Sequence, residues 1–223
     1  MPRIALIHAT LAAVGPIVDE FASAWPAAEL VNVLDDSLSK DRARDGRLTT
    51  AMERRFDVLA DYALSFGAEA ILFTCSAFGP AIERVALRLA VPVLKPNEAM
   101  FAEALTSGRR IGMLATFAPS IPSMEEEFRA DAARAGAAVE FCSVLVPGAL
   151  EALNAGRVDE HARRIVEAGQ ALVGCDAVML AQFSMAPVAT ALRQAVAHSV
   201  LTSPASAVAR LKTRLQGTPS EDR

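Results

Sequence analysis

Short, uniformly apolar stretches alternate along the chain with longer stretches in which apolar residues recur every three or four positions. The apolar stretches predict buried strands at residues 4–8, 29–34, 70–74 and 91–94, and again at 110–115, 139–145, 177–181 and 199–201. Helices are predicted at 14–24, 48–66, 80–89 and 201–216. Continuous apolar strands separated by helices are typical of parallel sheets that are covered on both faces.

The second half of the chain repeats the first at a constant offset. Residues 67–80 correspond to residues 174–187, which lie 107 positions later. The same offset relates Arg3-Ile4 to Arg110-Ile111 and Val93-Leu94 to Val200-Leu201. One gapless register across separated apolar segments indicates an internal duplication. In that register Gln182 stands where the first copy has Cys75.

The predicted fold is therefore α/β, with two pseudo-symmetric Rossmann-like lobes that each hold a four-stranded parallel sheet. We place the first lobe at residues 1–98 together with a returning C-terminal helix in 203–223, and the second at residues 99–202, with the halves joining near 97–108. Ligands of such sheets bind beyond the carboxyl ends of the strands. An active site is therefore expected in a cleft between the lobes, lined by residues 8–10, 74–77, 115–117 and 182–184.

Composition narrows the classes of function. The chain has 223 residues, of which 52% are hydrophobic, so it is long enough to bury a sizeable core. Its formal charge of −4 is mild and scattered and its aromatic residues are few, so neither nucleic acid nor a membrane is an expected partner. Three widely spaced cysteines fit a reduced, cytoplasmic protein better than a disulfide framework. Cys142 and Cys175 lie in apolar, strand-like stretches and are expected to be buried.

Cys75 is the candidate catalytic residue. It lies between a predicted strand and the helix that Pro80 helps to begin, where unpaired backbone N–H groups and the positive helix end favour the thiolate. The alternative is a buried apolar filler, against which the polar neighbours Thr74 and Ser76 argue. The sequence has no nucleotide-binding glycine loop and no histidines at ligand spacing, so neither a cofactor nor a metal is expected. His161 is predicted to be a solvated helix residue.

The segment Phe73-Thr74-Cys75-Ser76-Ala77, opposed by Leu180-Ala181-Gln182-Phe183-Ser184, resembles the aspartate/glutamate/hydantoin racemase superfamily. That family includes arylmalonate decarboxylase-like and maleate isomerase-like members, and it has two similar α/β lobes that each contribute a cysteine. Residues 146–157 are also similar to the corresponding region of the hydantoin-racemase branch. The resemblance implies cofactor-independent proton transfer at a carbon next to a carboxylate or carbonyl, with two thiols acting alternately as base and acid.

By this resemblance Cys75 is the acid/base of the first lobe. The predicted substrate-binding residues are His8, Thr74, Ser76, Ala77, Thr116, Phe117, Gln182, Phe183 and Ser184. Thr74, Ser76 and Thr116 are the candidate donors to a carboxylate or oxyanion. His8 is expected either to tune Cys75 or bind substrate, or to be a hydrogen-bonded strand-end histidine. An apolar rim, which holds a hydrophobic substituent or is plain core packing, is predicted from Phe78, Phe117, Phe183 and Met185.

Gln182 departs from the two-cysteine pattern. An amide has no protonation change near neutral pH, so it cannot serve as the second base. One hypothesis is a racemase or isomerase of a small amino acid, hydantoin or dicarboxylate, with another group such as His8 as the second relay. Another is a single-cysteine lyase of the arylmalonate decarboxylase type, although there the single thiol belongs to the second lobe. The third is a binding protein for a small carboxylate.

Two further expectations concern the site and its partners. The Cys75 sulfur and the Gln182 side chain are predicted to face one cavity from opposite sides. The expected ligand is a small carboxylate or hydantoin-like molecule, and the resemblance is compatible with a homodimer.

Overall fold

The computed structural model describes residues 1–217, in which eight strands alternate with ten α-helices. The strands are β1 (Arg3–His8), β2 (Glu29–Leu34), β3 (Ala70–Phe73), β4 (Val93–Leu94), β5 (Arg110–Ala115), β6 (Glu140–Leu145), β7 (Ala177–Leu180) and β8 (Ser199–Thr202). The helices are α1 (Val14–Ala24), α2 (Ser37–Asp45), α3 (Thr50–Ser65), α4 (Gly79–Arg88), α5 (Glu98–Ser107), α6 (Ile121–Arg134), α7 (Ala149–Asn154), α8 (Val158–Gln170), α9 (Ala189–Ala195) and α10 (Ser203–Gln216). Residues 218–223, which the predicted first lobe includes, lie outside the described residues. None of the described helices is long and apolar enough to cross a membrane.

Each half of the chain forms one four-stranded parallel sheet, and the strand order is the same in both. The orders are β2-β1-β3-β4 and β6-β5-β7-β8. Ile4 pairs with Ala70 in the first sheet, and 107 residues later Ile111 pairs with Ala177 in the second. The repeated register confirms the predicted α/β duplication. The central strands β1, β3, β5 and β7 are buried almost throughout, which is why they form continuous apolar runs in the sequence.

Helices α2 and α5 are among the helices that the apolar pattern does not predict. Helix α2 is highly charged and buries only Leu38, so it shows little apolar periodicity. Helix α5 occupies the stretch predicted to join the halves, and it buries Ala99, Met100 and Phe101 in succession. Because consecutive residues of α5 are buried, the contrast between an apolar and a polar face that identifies a surface helix is lost.

The described chain forms two compact units, residues 1–96 with the segment from Ala207 onward, and residues 97–206. In the first unit Phe56 of α3 packs on Phe73 of β3 and on Phe78, with ring centroids 5.1 and 4.9 Å apart. Phe78 ends the 3-10 turn that follows Cys75, so this aromatic cluster anchors the turn. In the second unit separate apolar clusters cover the two faces of the sheet.

The second sheet begins at a close approach between Gly108 and Asp176. The Asp176 carboxylate accepts hydrogen bonds from the backbone N–H groups of Arg109 and Arg110, each at 2.8 Å, and so ties the start of β5 to the start of β7. Gly108 has a φ of 156°, and a Cβ at this position would lie 2.3 Å from the Asp176 Cβ. Only glycine meets both the backbone conformation and the lack of space.

Replacing Gly108 by Ala is therefore expected to lower the free energy of unfolding by about 3 kcal/mol, because strain and steric overlap add. Urea denaturation followed by far-UV circular dichroism measures the change. Gly15→Ala is the matched control, since nothing lies within 4 Å of a Cβ there. In helix α1 that change is expected to be neutral or to stabilise by up to about 1 kcal/mol. Equal denaturation midpoints for the two variants would contradict the prediction.

Candidate active site

In each unit the loops after the two central strands lie side by side at the carboxyl edge of the sheet. In the first unit the N–H of Thr74 donates to the carbonyl oxygen of Ile7 at 3.0 Å. In the second unit the N–H of Ala181 donates to the carbonyl oxygen of Leu114 at 2.9 Å. The two bonds are equivalent in the repeat, and they are followed by Cys75, the predicted catalytic residue, and by its counterpart Gln182. Both positions lie where an open α/β sheet binds its ligand.

At the carboxyl edge of the first sheet, His8 connects β2 to the loop after β3 through hydrogen bonds. Its Nε2 lies 3.0 Å from Oδ1 of Asn32, and its Nδ1 lies 2.8 Å from Oγ1 of Thr74. Since an amide oxygen can only accept, the His8 proton is on Nε2 and the Thr74 hydroxyl donates to Nδ1. His8 is fully buried and Thr74 is 4% exposed. Of the alternatives open for His8, this geometry is that of a hydrogen-bonded strand-end histidine.

Cys75 follows in extended backbone and precedes the 3-10 turn Ser76–Phe78. Its side chain is half-buried against the core of the first unit, beside a narrow apolar cavity that has no room for a water molecule. Burial raises the pKa of the Cys75 thiol above its ordinary value of 9.0, and the Ala77 N–H and the Arg42 charge oppose this rise. The prediction that the position favours the thiolate is therefore wrong, because the loss of solvation outweighs the nearby positive groups.

Two residues near this edge, Arg42 and Asn32, are not among the predicted site residues. Arg42 of α2 donates from Nε to the carbonyl oxygen of Ala77 at 3.3 Å, which brings a positive charge to the turn after Cys75. Nothing in the charged stretch of α2 distinguishes Arg42 from Arg44. Asn32 could have been recognised from the sequence, since it is the only polar residue between the apolar residues of β2.

Gln182 is held by hydrogen bonds within the second unit. Its Oε1 accepts from the backbone N–H of Thr116 at 2.8 Å and from the Thr116 hydroxyl at 3.2 Å. Its Nε2 donates to Oγ of Ser120 at 3.0 Å, and Ser120 in turn donates to the carbonyl oxygen of Phe117. Gln182 therefore binds the loop after β5 to the loop after β7. No sequence signal points to Ser120.

The family model for Asp/Glu/Hydantoin racemase matches residues 7–211. The chain belongs to this family. The resemblance carried by the segments around Cys75 and Gln182 is thereby confirmed.

Solved structures of other racemases share the fold of this family member at low sequence identity. A glutamate racemase isoform from Bacillus anthracis has a TM-score of 0.73 at 14% identity, covering 97% of this chain and 82% of that chain. An aspartate racemase homologue from Pyrococcus horikoshii has a TM-score of 0.69 at 18% identity, covering 98% and 100%. An allantoin racemase from Klebsiella pneumoniae has a TM-score of 0.67 at 19% identity, covering 97% and 88%. A search of curated proteins found no match.

The other predicted site residues of this racemase-family protein differ in accessibility. Ser76 and Ser184 are half-buried, and neither hydroxyl forms a hydrogen bond with another described residue. Ala77 is half-buried. Phe117 is 37% exposed, whereas Phe183 is buried. The remaining two members of the predicted apolar rim, Phe78 and Met185, are fully buried in the cores of their own units, so this rim is mostly core packing.

Within residues 1–217 no group of three or more His, Cys, Asp or Glu side chains is placed to hold a metal ion. His161 was predicted to be solvated, and this is wrong, since it is 1% exposed and its Nδ1 lies 2.8 Å from the carbonyl oxygen of Ala149. It lies with Ile165 and Gly169 on the buried face of α8, a spacing of four residues that follows the helix period. His161 has charged neighbours in the sequence, and for this reason it was predicted to be solvated.

Lowering the pH is expected to destabilise the protein through His8. Burial lowers the pKa of His8 below 6.5, and the hydrogen bond to Asn32 opposes this effect. The unfolded chain then binds a proton that the folded protein does not. Stability from this group is complete above about pH 6.5 and declines as the pH falls toward the folded-state pKa, by at most about 1.4 kcal/mol per pH unit.

Urea denaturation between about pH 7.5 and 5 tests this expectation, in a range where most carboxylates stay ionised. The variant His8→Gln should show a smaller pH slope than the wild type. His198→Gln is the comparison variant, because burial lowers the pKa of His198 as well. Its replacement should remove the contribution of His198 to the pH dependence of stability and leave that of His8 in place. Parallel curves for wild type and His8→Gln would exclude His8 as the cause.

Proposed function

We propose that the chain is a cofactor-independent racemase or isomerase that moves a proton at a carbon next to a carboxylate, with Cys75 as its acid/base. The observation that carries the proposal is a half-buried thiol directly after a central strand, in a chain that belongs to the Asp/Glu/Hydantoin racemase family. The proposed substrate is a small carboxylate or a hydantoin-like molecule. Glutamate and allantoin racemases are among the structures that share the fold.

The raised pKa of Cys75 supports a thiol that is protonated at rest. Such a thiol donates its proton to an enolate-like carbon, because that carbon is far more basic than a thiolate. The Ala77 N–H and the Arg42 charge both lower the thiol pKa, so they stabilise the thiolate that donation leaves behind. The same two groups assist the reverse step, in which the thiolate takes a proton from the substrate.

The substrate carboxylate and the developing oxyanion need hydrogen-bond donors in the same region. Ser76 and Ser184 supply hydroxyls that are not engaged with other described residues. Gln182 has a second Nε2 proton beyond the one given to Ser120. The Thr74 and Thr116 hydroxyls are already engaged with His8 and Gln182, so we assign them to fixing the loops rather than to binding substrate.

A single-thiol lyase is the second candidate, and the hydrogen bonds that hold Gln182 favour it. In this reaction the bond to a carboxylate breaks, carbon dioxide leaves, and the electron pair stays on carbon as an enolate. The Cys75 thiol then gives its proton to that carbon, and the thiolate regains a proton from water. Only one face of the carbon is protonated, so this reaction does not require a second acid/base at position 182.

A homodimer and a cytoplasmic location also remain predictions.

Cys75 is expected to be required for proton exchange at the substrate carbon. The protein is incubated in deuterium oxide with amino acids, hydantoins and malonates, and products are analysed by mass spectrometry. Replacing Cys75 by Ser should reduce deuterium uptake at least about 100-fold, since a positioned acid/base contributes that much or more. Cys142→Ser under reducing conditions is the matched control and should keep the wild-type rate.

The products distinguish the candidate functions. Deuterium in recovered substrate supports the racemase or isomerase, and a labelled monoacid with loss of carbon dioxide supports the lyase. If Cys75→Ala binds a substrate as tightly as the wild type and neither protein shows uptake, the chain is a binding protein and the proposal fails.

Replacing Gln182 by Cys is expected to supply the missing second thiol. In the wild type inversion should be slower than exchange of the substrate proton, because only one face meets a thiol and the other face must take its proton from another group or from water. Gln182→Cys should increase inversion, measured by chiral chromatography of the exchanged substrate. Gln182→Ala is the control, because it loses the same hydrogen bonds without adding a thiol, at about 1–3 kcal/mol of stability in both variants. Equal inversion rates in the two variants would contradict the two-sided arrangement.

A further inference from the structure

Two cysteines outside the candidate active site lie near the amino ends of strands in the second sheet. Both were predicted to be buried, and this is wrong: Cys142 is exposed and Cys175 is half-buried. Cys142 belongs to the edge strand β6, and Cys175 lies in the loop before β7. The two residues line one surface hollow of about 220 Å³. Position at an edge and in a loop explains why apolar sequence neighbours do not cover them.

Gly112 of β5 allows the two thiols to approach each other. It pairs with Cys142 on β6, and a Cβ at position 112 would lie 3.2 Å from the Cys175 sulfur. The Cys175 sulfur therefore occupies the space where a side chain of residue 112 would lie. Cys142 and Cys175 are close enough to interact directly, and this contact together with burial raises the pKa of Cys175.

We propose that Cys142 and Cys175 form a dithiol site that reacts with hydroperoxides and closes to an intramolecular disulfide. The exposed Cys142 attacks as thiolate, the O–O bond breaks, and the leaving oxygen takes up the proton that the thiol released, so the products are a sulfenic acid on Cys142 and an alcohol or water. The Cys175 thiolate then attacks the Cys142 sulfur, the S–S bond forms, and the sulfenic oxygen leaves as water with the proton released by Cys175. Two thiols lose two electrons, and the peroxide gains them.

The surroundings of Cys175 suit the second step. Arg110 lines the hollow and its charge lowers the pKa of Cys175, which partly offsets the effect of burial. A neighbouring hollow of about 480 Å³ is lined by Cys175 and His198. The His198 Nε2 is buried with no hydrogen-bond partner among the described residues, and burial lowers the pKa of this histidine. His198 therefore offers a free hydrogen-bonding position in a hollow that the Cys175 thiol also lines.

Closure requires the loop before β7 to move. Neighbouring strands are about 4.8 Å apart, and β5 lies between β6 and β7, whereas a disulfide usually joins Cα atoms about 5.5–6 Å apart. The segment 173–175 has no regular secondary structure and contains Gly174 with a φ of 93°, so it is the part that shifts, whereas Asp176 stays bonded to the backbone of Arg109 and Arg110. A bond formed under this strain is readily reduced again.

The test uses the full chain with Cys75→Ser, in which Cys142 and Cys175 are the remaining thiols of the three in the sequence. Hydrogen peroxide is the probe. We expect loss of both free thiols, a mass decrease of two hydrogen atoms, and a cross-linked pair of peptides. The rate should not depend on protein concentration, because closure is intramolecular. Dithiothreitol should restore both thiols.

Variants that also carry Cys142→Ser or Cys175→Ser cannot close and should give only higher oxides or intermolecular dimers. Gly112→Ala should slow closure about tenfold or more while leaving both thiols present, since its Cβ would lie 3.2 Å from the Cys175 sulfur and 3.0 Å from Leu172, and so would crowd the thiol from the position in which it meets Cys142. The proposal is overturned if the two-thiol protein keeps both thiols, or oxidises each at the rate of the single-cysteine variants. This comparison holds even if Gly112→Ala fails to fold. The outcome is independent of the proposed catalytic function, because Cys75 is absent.

Discussion

A main-chain hydrogen bond between the ends of two parallel strands determines where the candidate catalytic residues stand. It joins Thr74 to Ile7 in the first unit and recurs between Ala181 and Leu114 in the second. Side chains alternate along a strand, so a slip of one residue would turn the next side chain to the opposite face. The central strands resist this slip, because they are buried on both faces and it would exchange the side chains packed against the two faces and disrupt the close packing of each.

The duplicated scaffold uses different side chains to close the two sheet edges. In the first unit His8, Asn32 and Thr74 form a polar chain next to Cys75, and this chain does not include the thiol. In the second unit Gln182 itself makes the bonds that hold the two loops together. An amide that fixes loop geometry thus stands at the position that corresponds to Cys75 in the repeat. The two sheet edges therefore differ in their chemical groups although their backbones repeat.

The state of each sulfur in this racemase-family chain depends on its immediate surroundings. Cys75 lies against an apolar core with one N–H group and one guanidinium nearby, and burial is the larger influence on its pKa. Cys142 and Cys175 face each other because residue 112 has no side chain. One glycine therefore decides whether two distant cysteines in the sequence can act as a pair.

The sequence by itself determined the eight strands, the duplication, the family and the correspondence of Cys75 with Gln182. These features are local or periodic, and apolar runs and repeated segments record them directly. Helices α2 and α5 were not predicted from the sequence, because neither shows an amphipathic period. Helix α2 is too charged, and α5 is too evenly apolar. Only the tertiary structure shows that Arg42 lies near Cys75 and that His161 is buried. It alone also shows that Cys142 and Cys175 line the same hollow. Those results depend on contacts between distant segments and on loss of solvation, which no local pattern encodes.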